Sequence, residues 1–200
     1  DLIAAEDTRI SRKLLKHYDI QTPLIAYHDN NERPQAKKII ERLILGKNIA
    51  LISDAGTPCI SDPGYRLVHL ARKMGIEVLT IPGPSAVLAS LVSSGLPTDR
   101  FIFEGFLPPK KGRKKRIENL INESGTIIIY DNILRLKKTI KQMLEIIGDR
   151  PAVICRELTK MHEEIIRGTL SSLLELLDNQ TLKGECVLLI GKDDKNVYFE

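Results

Sequence analysis

Three short segments hold the residue types from which a reactive site could be built, and each one follows a run of apolar residues. The richest is Ser53-Asp54-Ala55-Gly56-Thr57-Pro58-Cys59-Ile60-Ser61-Asp62-Pro63-Gly64, which leaves the apolar run Ile49-Ala50-Leu51-Ile52. Its twelve residues include two glycines, two prolines, two aspartates and three hydroxyls. The glycines permit close backbone approach to a ligand, and the prolines reduce the entropy lost on binding. Asp54 and Asp62 offer carboxylates to a cationic or hydroxylated ligand. An ordinary turn-rich crossover needs only two or three turn residues, so the density here favours a site. The second segment is Ile81-Pro82-Gly83-Pro84-Ser85-Ala86. It opens a helix whose small residues and free N–H groups suit an anion or a polar ligand edge, although a plain turn and cap fits as well. Its spacing is not that of a dinucleotide fingerprint. The third is Glu6-Asp7-Thr8-Arg9. An acid pair beside an arginine can take up a proton or position a substrate. It can equally cap the next helix through Asp7 or Thr8, and the two roles are compatible.

Alternating strands and helices must position these segments. Strand patterns fall at residues 2–5, 24–28, 49–52 and 78–81, with helical patterns at 8–18, 33–45, 65–74 and 84–94. That rhythm implies a parallel sheet with helices on its faces, where ligands bind outside the carboxyl ends of the strands. Gly95-Leu96-Pro97-Thr98-Asp99 reads as a linker. Beyond it, strands at 101–105, 126–130, 151–156, 164–168 and 186–191 outnumber helices at 114–122, 134–147 and 170–178. Short connections there suggest some antiparallel pairing. Two α/β domains are expected, residues 1–97 with a parallel sheet and residues 98–200 with a mixed one. Asp1-Leu2-Ile3-Ala4-Ala5 reads as the tail of a strand already running, so an N-terminal piece is expected to be missing.

The 200 residues carry a formal net charge of only +4, but the charge is uneven. Lys110, Lys111, Arg113, Lys114, Lys115 and Arg116 put six cations into seven positions, which suits phosphates or a solvated loop equally. Aromatic residues make up 4% and do not interleave with this run, so backbone and shape recognition is favoured over base stacking. No apolar run reaches the roughly 18–20 residues needed to cross a bilayer. Three scattered cysteines, with no paired spacing, read as free thiols of a reducing cytoplasm, Cys155 and Cys186 in the core. No histidine spacing suggests a metal site.

Taken in order, Ala5-Glu6-Asp7-Thr8-Arg9, residues 53–64, residues 81–86, Phe103-Glu104-Gly105-Phe106-Leu107-Pro108, Arg156-Glu157-Leu158-Thr159-Lys160 and Lys183-Gly184-Glu185 resemble the tetrapyrrole methylase superfamily, and within it the branch that modifies ribosomal RNA. The resemblance runs through nearly the whole chain. It implies two α/β domains with S-adenosylmethionine in the cleft between them, usually in a homodimer. It also implies a cytoplasmic enzyme that methylates the 2′-oxygen of a cytidine in bacterial 16S ribosomal RNA within the small subunit, without metal or membrane. Cofactor contacts are expected from Ser53, Asp54, Ala55, Gly56, Thr57, Ser85 and Ala86, and from Tyr130, Leu158, Gly184 and Glu185. Proton uptake and substrate positioning are expected from Glu6, Asp7, Arg9 and Asp62, and the six-cation run is read as an RNA clamp. Glu157 is a further proton acceptor or a partner of Arg156 or Lys160. One departure is Tyr130-Asp131-Asn132-Ile133-Leu134-Arg135, where the family often has Tyr-Glu-Ser-Pro-His-Arg. Two rival readings are a methylase of small tetrapyrroles and a non-catalytic ribosome-binding protein.

Overall fold

A computed structural model of the protein describes residues 1–180 and 182–192. The chain forms two compact units, Asp1–Ser85 and Ala86–Glu200.

The first unit runs β1 (Leu2–Ala5), α1 (Thr8–His17), β2 (Leu24–Ala26), α2 (Glu32–Ile44), β3 (Ile49–Ile52) and α3 (Tyr65–Lys73). Its sheet is parallel throughout, in the order β2-β1-β3, with Ile3 opposite Leu24 and Ala50. The small residues Ala4 and Ala5 let the helices close on the central strand. Ala36, Ile39 and Ile40 of α2 meet Leu67 and Ala71 of α3 in one buried cluster with Ala4 and Tyr27. These positions recur at helical spacing, so one face of each helix is buried and the other is left to water.

The second unit runs α4 (Ala86–Ser94), β4 (Phe101–Phe106), α5 (Arg113–Glu118), β5 (Thr126–Asn132), α6 (Ile133–Ile147), β6 (Pro151–Arg156), β7 (Glu164–Thr169), α7 (Leu170–Asn179) and β8 (Glu185–Ile190). Its sheet is mixed, in the order β4-β5-β8-β6-β7. Only β4 and β5 pair parallel; the other pairs are antiparallel. Both faces are covered, so strand residues alternate between two cores. Ile127, Ile129, Ile154, Leu188 and Ile190 join Leu136, Ile140 and Met143 of α6 and Leu170 and Leu173 of α7. Ile128, Val153, Cys155, Val187 and Leu189 face the other way, onto Val87 and Leu91 of α4. Cys155 and Cys186 are buried free thiols, and burial pushes them up to about 11 and about 12.

Three expectations change. Residues 78–81 form no strand: Leu79 and Ile81 are 76% and 85% exposed, and no ladder partner lies beside them among the described residues. An apolar run without a paired neighbour has nothing to offset the entropy of extension. The unit boundary also falls before α4 rather than at the Gly95–Asp99 linker, because the buried face of α4 packs on the second sheet. That helix starts at Ala86, not Pro84. No helix of the described residues is long and apolar enough to cross a membrane.

Candidate active site

Parallel pairing brings three connections to one edge of the first sheet. Ala5 lies opposite both Ala26 and Ile52. Glu6-Asp7, residues 27–29 and residues 53–64 therefore leave side by side from the carboxyl ends of β1, β2 and β3. The Asp7 backbone N–H donates to the Asp54 carboxylate at 3.1 Å, tying the first connection to the third. Burial raises the proton affinity of Glu6 above its ordinary value, and the charges of Asp62, Asp54 and Asp29 add to this. Burial likewise raises Asp62, helped by Asp54 and Asp29 and opposed by a hydrogen bond with Ser53. The charges of Asp54 and Asp62 thus act on Glu6, and that of Asp54 on Asp62, although the Asp7 N–H and Ser53 satisfy part of this acidic group.

Asp7 stands apart from the cluster in its chemistry. It is the N-cap of α1, accepting from the Arg9 backbone N–H at 2.8 Å and from Arg9 Nε at 3.1 Å. These bonds hold its carboxyl well below the usual range. Of the two caps compatible with the sequence, Asp7 fills the role and Thr8 begins the helix.

The connection after β3 is built under strain. Cys59 and Ser61 take φ of 72° and 63°, in the left-handed region that side chains disfavour. Gly64 sits at φ 143°, where an added Cβ would lie 2.5 Å from Cys59 Sγ and 2.8 Å from Leu51 Cδ2. Thr57 Oγ1 donates to the Pro84 carbonyl at 2.8 Å, which joins the 53–57 stretch to the 82–85 segment. Asp54, Ala55, Gly56 and Ala86 are exposed, and Ser53, Thr57 and Ser85 are half-buried.

The anchor of this connection is a residue not anticipated from the sequence. The buried Glu32 carboxylate, in the first turn of α2, accepts the Tyr27 hydroxyl at 3.1 Å and the Gly64 N–H at 3.1 Å. It also pairs with Arg66 Nε at 3.0 Å. Tyr27 is fully buried, and that burial, with Glu32 beside it, raises its hydroxyl pKa far above the ordinary value. The only available signal was the polar run His28-Asp29-Asn30-Asn31-Glu32 at the end of a strand.

In the second unit, the expected contact residues gather at one end of the β5–β8 pair. Tyr130 lies opposite Val187, and Asn132 opposite Glu185. The Tyr130 ring meets Phe103 and Phe106 edge-on at 4.8 and 5.6 Å. Leu158 is half-buried against the same core face. Glu157 accepts the Glu185 N–H at 2.9 Å and pairs with Lys160 at 3.1 Å, while Arg156 pairs with Glu164 at 2.6 Å. The hydrogen bond from the Glu185 N–H, followed by Lys160, holds the Glu157 carboxyl below its ordinary value. Gly184, at φ 105°, passes so close that a Cβ would lie 2.5 Å from the Glu157 carboxylate. The two expected motifs therefore form one interlocked turn.

The six-cation run does not act as a unit. Arg113 is buried, donating to Thr139 Oγ1 at 2.6 Å and Gln142 Oε1 at 2.7 Å. Thr139 donates in turn to Asp131, which pairs with Arg135 at 3.2 Å. Arg116 pairs with Glu104, and Lys114 with Glu118 at 3.8 Å. As an RNA contact Arg113 is corrected: a guanidinium enclosed by the core cannot reach a phosphate. Lys110, Lys111 and Lys115 remain exposed.

Residues 1–174 match the family of Tetrapyrrole (Corrin/Porphyrin) Methylases. The chain belongs to this family. Among curated members, it is 49% identical to the ribosomal RNA small subunit methyltransferase I of Halalkalibacterium halodurans over 98% of this chain and 68% of that protein. It is 46% identical to the protein of the same name from Bacillus subtilis, over 98% and 68%. The one from Thermotoga maritima is 44% identical over 96% of this chain and 87% of its own. Among solved tetrapyrrole methylase structures, a cobalt-precorrin-4 methyltransferase shares the fold at a TM-score of 0.64 and 18% identity, covering 95% of this chain and 83% of that one. A uroporphyrin-III C-methyltransferase from Thermus thermophilus, complexed with S-adenosyl homocysteine, does so at 0.61 and 16%, over 96% and 84%.

Proposed function

We propose that this methylase transfers the methyl group of S-adenosylmethionine to the 2′-oxygen of a cytidine in bacterial 16S ribosomal RNA. Relatives that are nearly half identical over almost the whole chain carry the name of a small-subunit ribosomal RNA methyltransferase. The single structural observation behind the reading is the carboxylate cluster of Glu6, Asp54 and Asp62 at the carboxyl edge of the parallel sheet. A sulfonium cation bearing ribose hydroxyls fits that donor set: the cation relieves the repulsion among the carboxylates, and the exposed stretch at residues 54–56 offers polar partners.

When bound, S-adenosylmethionine supplies an already activated methyl group. The chain must hold the acceptor oxygen in line, exclude water and take up one proton. We assign proton uptake to Glu6 or Asp62, whose proton affinities are raised, rather than to Asp7, which is committed to Arg9 and the start of α1. Arg9 then orients the Asp7 turn. We assign cofactor contacts to Ser53, Asp54, Ala55, Gly56, Thr57 and Ser85 of the first unit, and to Ala86, Tyr130, Leu158, Gly184 and Glu185 of the second. Lys110, Lys111 and Lys115 remain RNA contacts. We place the protein in the cytoplasm, as a homodimer acting on the small ribosomal subunit.

The test is to incubate the protein with methyl-labelled S-adenosylmethionine and small subunits from a strain lacking the enzyme, then to map the label. Label on a single cytidine ribose is the expected result. Label on a porphyrin precursor and none on RNA would move the assignment to the small-molecule branch of the family.

A further inference from the structure

An RNA substrate needs cationic contacts along its backbone beyond the residues that meet the acceptor ribose. The run at residues 110–116 supplies less grip than its composition suggests, because Arg113 is buried and Lys114 and Arg116 already have acidic partners. The first unit offers an alternative. A groove of about 830 Å³ lies between α2 and α3. Arg33, Lys37 and Lys38 line one wall, with Tyr65, Arg66 and His69 on the other.

Helical spacing puts Arg33 and Lys37 on one exposed face of α2, with Lys38 beside them. Among the described residues, no acidic side chain lines the groove, and none of these three cations has an ion-pair partner. Opposite them, Tyr65 is 70% exposed and stacks on His69 at 5.9 Å and 30° between ring planes. An exposed aromatic ring presents a π-face on which a base can stack. Cations along one wall and a stacked ring pair on the other are what a nucleic-acid single strand requires: phosphates meet the first, a base meets the second. The ion pair between Arg66 and Glu32 fixes the two helix starts relative to one another, so the groove is formed before anything binds.

We infer that the α2–α3 groove docks a single-stranded stretch of the substrate RNA, with Arg33, Lys37 and Lys38 on consecutive phosphates and Tyr65 under a base. The inference rests on the reading of the chain as an RNA methylase, and it adds a second grip to the contacts of Lys110, Lys111 and Lys115.

Three variants test it: a triple Arg33→Ala, Lys37→Ala, Lys38→Ala change, Tyr65→Ala and Tyr65→Phe. Small-subunit RNA binding is measured across a salt series, methylation is measured against small-subunit concentration, and S-adenosylhomocysteine affinity is the control. The triple variant should reduce the slope of log affinity against log salt by roughly 2–3, since each lost phosphate contact removes about 0.7–0.9. Its KM for small subunits should rise about tenfold or more with kcat near unchanged. Tyr65→Ala should weaken RNA binding by about tenfold without altering the slope, and Tyr65→Phe should restore it. S-adenosylhomocysteine affinity should stay the same in all three. A wild-type salt slope and KM in the triple variant would overturn the groove while leaving the methylase assignment intact. Wild-type protein that neither binds nor methylates small-subunit RNA would overturn both.

Discussion

The guanidinium of Arg113 donates to the hydroxyl of Thr139 at 2.6 Å inside the second unit. The most basic stretch of the chain therefore contributes one of its cations to the core. Arg113→Ala should leave Thr139, Gln142 and the Pro108 carbonyl without their donor, remove a cation from beside Asp131 and open a cavity, costing about 2–4 kcal/mol. Melting should fall by about 5–15 °C. Arg113→Lys should rescue only partly, because an ammonium cannot reproduce the fork that reaches Gln142 and Thr139 together. Lys115→Ala, on the exposed side of the same helix, should change stability by no more than about 0.5 kcal/mol. Equal melting of the Arg113 and Lys115 variants would contradict the buried network.

The raised proton affinities of Glu6 and Asp62 have a pH signature. A carboxyl whose folded pKa lies above its unfolded value binds a proton more tightly in the native state. Stability contributed by that proton is present at low pH and declines as pH rises from the ordinary values of 4.5 for Glu6 and 3.8 for Asp62 through the raised folded values. Glu6→Gln and Asp62→Asn should therefore raise the melting temperature at pH 7, and the gain should vanish below about pH 4. Whichever residue accepts the ribose proton should lose turnover on substitution and take the acidic limb of the rate profile with it. Asp7→Asn should leave that limb in place, since Arg9 holds the Asp7 carboxyl ionised. Disappearance of the limb in Asp7→Asn alone would return the base to Asp7.

Gly184 and Glu157 are fitted to each other. Gly184→Ala puts a Cβ 2.5 Å from the Glu157 carboxylate at a φ of 105°. Glu157 must then abandon the Glu185 N–H and Lys160. Calorimetric titration with S-adenosylhomocysteine should show affinity reduced by about tenfold, whereas Gly75→Ala, a residue also at positive φ but with open space around it, should bind normally. Unaltered binding by Gly184→Ala would remove this turn from the cofactor site.

Much of this was legible in the sequence because it depends on local pattern. The alternation of strands and helices fixed a parallel sheet, and parallel strands deliver their carboxyl-end loops to one edge, so the grouping of Glu6, Asp54 and Asp62 follows from connectivity. What was not legible depends on partners distant in the chain. Residues 78–81 have strand composition, but a strand exists only where a ladder partner lies alongside. Arg113 looks like its neighbours at 114–116, and only the position of Thr139, 26 residues on, marks it as buried. Tyr65 was invisible as a base platform because its cationic neighbours come from another helix.

Glu32 was missed for the same reason, and its removal should be felt at the site. Its carboxylate joins the Tyr27 hydroxyl, the Gly64 N–H and the Arg66 guanidinium, so it holds both the start of α3 and the strained connection before it. Glu32→Ala leaves those donors without their acceptor in a buried setting, which should cost about 2–4 kcal/mol. Glu32→Gln keeps one acceptor oxygen but loses the charge, and should fall between. Tyr27→Phe removes a donor and leaves Glu32 its other partners, so about 0.5–1.5 kcal/mol is expected. Because the 53–64 connection stores its strain at Cys59 and Ser61, a loosened anchor should let it relax. Cofactor affinity should then weaken in the order Tyr27→Phe, Glu32→Gln, Glu32→Ala, measured at a temperature where all three remain folded. Equal cofactor affinity across the series, with stability lost as expected, would make Glu32 a support of the fold alone.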